Sequence, residues 1–158
     1  MRRRKITVCF CLLFVSIVSN VYAAINLNEL KSISDGIRNL EADLDQMFTS
    51  SGGVNMSNMN EHSDLIRVFN ISMRTTDLID ALGNMFGMFV NSKDEKLDAN
   101  AEIINEWIKR IQLLTGVNIK DLNQMSMSHG ISPNALANIN KLKEYLHRLN
   151  TSMETASI

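Results

Sequence analysis

This sequence has almost nothing with which to staple itself together. Its only two cysteines, Cys9 and Cys11, both lie in an apolar N-terminal run. Everything after that run therefore lacks disulfides and thiolate metal ligands. Proline is nearly missing too: Pro133 is the one proline in 158 residues, so little interrupts long helices. Strand signals are absent. No segment sustains a period of two, and no Asn-Gly or Asp-Gly step stands between runs of alternating apolar residues, which argues against an all-β fold. Several chemistries go the same way. The three histidines form no H-E-x-x-H pair, no glycine-rich phosphate loop occurs, and Ser51-Gly52-Gly53 is not a nucleophile elbow. Carboxylates paired in an apolar setting are also missing, so the chain reads as a non-enzyme with no cofactor.

What is present begins with an export signal. Arg2, Arg3, Arg4 and Lys5 form a basic start, an apolar stretch follows from Ile6 to Val18, and Val21-Tyr22-Ala23 offers a signal-peptidase site after Ala23. Residues 1–23 are thus read as a signal peptide and 24–158 as one domain. The alternative is an uncleaved anchor: Ile6 to Ile25 approaches the roughly 20 residues needed to span a bilayer, which would hold the domain near a membrane. Either way the domain lies outside the cytoplasm, periplasmic or secreted. Losing the four leader cations leaves 12 basic residues against 17 acidic ones, a formal charge of −5. That acidity disfavours nucleic acid, where a basic surface supplies most of the affinity.

Helical periodicity dominates the rest. Leu30, Ile33, Ile37, Leu40, Leu44 and Met47 recur at steps of three and four, and Ser50-Ser51-Gly52-Gly53 closes that helix. A second helix is predicted from about Asn60 to Val90, with Leu65, Phe69, Met73, Ile79, Leu82, Met85, Phe86 and Phe89 as its apolar positions. Leu97, Ala101, Ile104, Ile108, Ile111 and Leu114 mark a third, which Gly116 should stop. A short helix would then start at an Asn118 cap, with Val117 packed on Leu122, and run to about Gly130. The last opens at Ser132-Pro133 and carries Ala135, Ile139, Leu142, Leu146, Leu149 and Met153. The expected fold is all-α: a small antiparallel bundle of four to five helices after the leader.

Two Met/His groups could serve a soft metal such as Cu(I): Met56, Met59 and His62, then Met125, Met127 and His129. The competing origin is composition, because the chain is rich in methionine (10) and asparagine (18). Glu144-x-x-His147 has the spacing of a di-iron ligand pair but no second copy. Asn55, Asn70 and Asn150 head glycosylation acceptor triplets. Gly83 and Gly87 form a G-x-x-x-G step that fits a tight helix crossing in a central helix.

The leading functional expectation is an exported, non-enzymatic helical protein of inhibitor, immunity, adaptor or secretion-accessory type. It would grip a protein partner through Met85, Phe86, Met88 and Phe89, since flexible methionines and aromatics suit such surfaces. A homodimer through the same apolar face is a variant of this reading. The alternatives are a carrier of a small apolar ligand, lined by Phe69, Met73, Trp107 and Ile111, and the soft-metal binder.

Overall fold

The computed structural model describes residues 26–50, 59–90, 97–127, 131 and 133–156, omitting the side chains of 50, 59–61, 86–90 and 97–101. Four helices account for nearly all of it: α1 (Leu27–Ser50), α2 (Met59–Val90), α3 (Leu97–Ser126) and α4 (Pro133–Ala156). No strand occurs among the described residues. None of these helices is long and apolar enough to cross a membrane. Residues 1–25, with the expected leader, lie outside the description, as do Met56 and His129.

Helix directions follow from which residues meet. Along α1, Ser34, Glu41 and Phe48 meet Asp80, Thr76 and Phe69 of α2, in descending order. Glu29, Gly36 and Asp43 likewise meet Arg148, Tyr145 and Lys141 of α4. Both pairs are therefore antiparallel. The short connection from α3 to α4 makes α3 antiparallel to α4, giving an up-down-up-down bundle. Each helix packs on two neighbours, with α2 and α4 also touching across the centre.

The core is built from the predicted stripes. Leu30, Ile33, Ile37, Leu40 and Leu44 of α1 are buried, as are Ala135, Ile139, Leu142, Leu146, Leu149 and Met153 of α4. A fully buried leucine or isoleucine contributes about 1.5–3 kcal/mol, and with no disulfide these side chains hold the bundle. Asn26 caps α1 by accepting the Glu29 amide on its side-chain oxygen at 3.1 Å, a start the apolar pattern does not reveal.

Two expectations need correction. The predicted stop at Gly116 and the separate short helix do not occur, because α3 runs unbroken to Ser126. Thr115 is buried between Ile111 and Leu122 and carries the inner stripe past the glycine. A mid-helix glycine costs only about 1 kcal/mol, less than this packing supplies. Val117 is 55% exposed and Leu122 is buried, so they form no staple. On α2 the inner face is Leu65, Val68, Ser72, Thr75, Thr76, Ile79 and Leu82, whereas Met73 is exposed. Hydroxyls fit inside because they bond to their own helix: Thr75 Oγ1 donates to the Ile71 carbonyl (2.8 Å) and Thr76 Oγ1 to that of Ser72 (2.9 Å).

Candidate functional site

The seams between neighbouring helices differ sharply in chemistry. Where α1 meets α2, Asp80 accepts from both Arg38 and Ser34, and Glu41 lies 2.6 Å from the Thr76 hydroxyl, sharing its one proton with the Ser72 carbonyl. Beside them an open groove of about 470 Å³ runs past Leu27, Ser34, Arg38, Asp80 and Gly83. Where α1 meets α4, Arg148 donates to Glu29 at 3.0 Å and to Ser32 at 3.1 Å, while Lys141 reaches Asp43 at 3.3 Å. These rims are polar and matched.

The seam between α2 and α3 is different. A helix turns about 100° per residue, so positions three and four apart share a face. On α3, Ile103, Trp107, Arg110, Leu114, Val117 and Asp121 therefore form one stripe, just beside the core stripe of Ile104, Ile108 and Ile111. Asp121 pairs with Arg67 of α2 at 2.6 Å, which turns this stripe toward α2. The matching α2 stripe, counted from Arg67, is Ile71, Arg74, Leu78, Ala81 and Met85.

This rim is apolar and incompletely covered. Ile103 and Val117 are 46% and 55% exposed, and Leu113 next to the stripe is 69% exposed. Trp107, Leu114, Leu78 and Met85 are half-buried. The opposite flank of α3, turned toward α4, carries Asn105, Lys109, Gln112, Gly116 and Asn123, with Ile119 as its one large apolar residue. Exposed apolar side chains occur elsewhere too, at Leu27, Ile66, Met73 and Met127, but on this seam they continue a half-buried run shared by two helices, the usual mark of a contact site.

The predicted site residues are distributed unevenly over this frame. Met85 is half-buried on the α2 side of the seam and packs against the core. Phe86, Met88 and Phe89 belong to the helical run of α2, and their side chains lie outside the description. The Met/His groups are spread out. His62 sits edge-on to the Phe48 ring at 5.4 Å, and the Met59 side chain is outside the description. Met125 is buried in the core while Met127 is 79% exposed. Among the described residues no three His, Cys, Asp or Glu side chains cluster as metal ligands. Of the proposed ligand-cavity lining, Ile111 is buried, Phe69 and Trp107 are half-buried, and Met73 is exposed.

Glu144 and His147 line a second open groove of about 570 Å³ with Asn26, Glu29 and Arg148 at the α1/α4 seam. Gly83 is exposed with open space where a Cβ would be, so no described helix crosses tightly over it.

Ile103, Leu114, Val117 and Leu78 were not singled out from the sequence as contact residues. The signal was there: α3 carries two apolar registers one residue apart, and counting only the stronger hides the other. No family model, curated protein or solved structure matches this chain.

Proposed function

We propose that this chain is an exported, non-enzymatic helical protein that binds a protein partner, with the seam between α2 and α3 as its contact surface. The observation that carries the reading is the half-open apolar stripe of Ile103, Trp107, Leu114 and Val117 alongside Leu78 and Met85. Met85 belongs to the segment first suspected from sequence, and α2 continues from it through Phe86, Met88 and Phe89. Such a stripe suits a partner helix, whose own residues at i, i+3, i+4 and i+7 would pack along it. Exposed apolar side chains add little to folding, which is consistent with their serving a contact made with something else. The basic and apolar N-terminus supports export, and the domain type remains that of inhibitors, immunity proteins, adaptors or secretion accessories.

The test pairs binding with folding. Changing Ile103 and Val117 together to glutamate should abolish recovery of the partner from the producing cells' outer compartment, with helical circular dichroism unchanged. Recovery of the same partner by that variant would refute the seam. The companion variant Phe86→Ala with Phe89→Ala separates binding from packing: lost binding with intact helicity extends the surface along α2, whereas lost helicity assigns both rings to the core.

A further inference from the structure

The arginines of the seam specify what kind of helix it would take. Five arginines follow the leader. Three meet a carboxylate on a neighbouring helix: Arg38 with Asp80, Arg67 with Asp121 and Arg148 with Glu29. The other two, Arg74 and Arg110, make no ion pair among the described residues, and both lie on the seam. Their positions explain why. Counting from the Arg67–Asp121 pair in steps of three and four along antiparallel helices places Ile71 by Val117, Arg74 by Leu114, Leu78 by Arg110, Ala81 by Trp107 and Met85 by Ile103. Only the first rung is ionic. Where Arg67 has an aspartate across the seam, this count sets leucines opposite Arg74 and Arg110.

Arg110 instead lies over the Trp107 ring, its guanidinium 5.7 Å from the ring centroid. Glu106, one turn earlier on the same helix, forms no ion pair with it. A guanidinium resting on an aromatic face keeps its donors available for a carboxylate, and arginine engages carboxylates with a paired-donor geometry.

Building on the seam as the binding surface, we propose that its occupant is an amphipathic helix of another protein, with carboxylates beside its apolar stripe placed to meet Arg74 and Arg110. A second copy of this chain fits less well. A two-fold axis that paired Ile103 with Val117 and Trp107 with Leu114 would set the two Arg110 side chains against each other, since Arg110 is the midpoint of that stripe. A basic occupant would leave the same two cations unmatched.

Trp107 is the only tryptophan in the chain, so its fluorescence reports on the seam directly. The full-length product isolated from producing cells is titrated with two synthetic amphipathic helical peptides, identical in their leucine stripe. One carries glutamates beside the stripe and the other lysines at the same positions. The acidic peptide should shift Trp107 emission to the blue saturably and bind at least about tenfold more tightly than the basic one. Arg74→Glu with Arg110→Glu should invert that preference, and Arg74→Gln with Arg110→Gln should erase it. Equal binding of both peptides at Trp107 would overturn the charge selection and leave the seam standing. Failure of either peptide to move Trp107 up to millimolar concentration would overturn both. A dimer of the protein alone, with Trp107 already blue-shifted until Val117→Glu dissociates it, would make the occupant a second copy and refute the proposal.

Discussion

The edge of the bundle between α1 and α4 and the edge between α2 and α3 use the same helical repeat toward different ends. On the first, Glu29, Ser32 and Asp43 face Arg148 and Lys141, and every one of these polar groups has its partner within the chain. Among the described residues the second has a single ion pair at one end, then isoleucine, leucine, valine and tryptophan with two arginines that make none. Both rims flank the same core, so folding alone does not demand the difference. A rim that only has to meet water is served by paired charges, whereas half-covered tryptophan and leucine call for a further surface.

Truncations give the largest effects and break the comparison most directly. Leu40→Ala or Leu142→Ala, each removing a fully buried side chain, should lower unfolding free energy by about 2–5 kcal/mol in urea titration. The truncation Val117→Ala on the seam, which removes two carbons rather than three, should cost under about 0.5 kcal/mol because its side chain is largely in solvent. A cost at Val117 equal to that at Leu142 would make the seam part of the core.

Glycines sharpen the contrast at the next scale. At Gly36 an added Cβ would lie 2.5 Å from the outer atoms of the Tyr145 ring, so this glycine leaves room for that ring against α1. Gly36→Ala must push that ring aside, and its net cost should stay within about 1 kcal/mol because the half-buried ring can turn away and alanine favours the helix. The penalty should fall when Tyr145 is shortened to serine in a double-mutant cycle. At Gly116 and Gly83 the same Cβ would meet open space. Alanine at either site should therefore raise the melting temperature, with a gain of about 0.5–1 kcal/mol from restricted backbone freedom and better helix propensity. Gly116→Ala falling on the destabilising side would mean that α3 bends there.

The smallest effect concerns the ion pairs. Arg67 and Asp121 are both more than one-third exposed, so solvent and salt screen their attraction, and Asp121→Asn should cost no more than about 1 kcal/mol. Its sharper consequence would be on binding: with Asp121 neutral, Arg67 joins Arg74 and Arg110 as a seam cation without an ion pair among the described residues. The preference for an acidic peptide should then increase while stability scarcely moves.

Much of this architecture was legible from residue spacing. The stripes of α1 and α4 translate directly into buried side chains because those helices place apolar residues at nearly every inward position. Legibility fails where chemistry is carried by residues that an apolar count skips. Ser72, Thr75 and Thr76 sit inside α2 because each hydroxyl satisfies itself on a carbonyl three or four residues back. Gly116 looked like a terminus because glycine often ends helices, yet Thr115 supplies the inward side chain that keeps the stripe continuous. The contact stripe on α3 was hidden by its neighbour, one residue out of phase and richer in isoleucine. The segment suspected from sequence touches the seam at Met85, where α2 presents a half-buried side chain.

Site-specific photocrosslinking in producing cells tests the central claim most directly. A photoreactive residue is placed at Val117 on the seam or at Leu113 beside it, and at Lys31 or Asn140 on α1 and α4 as controls; all four side chains are exposed. Adducts of one defined mass from positions 113 and 117, and none from 31 and 140, is the predicted result. Adducts from 31 or 140 with none from the seam would contradict it.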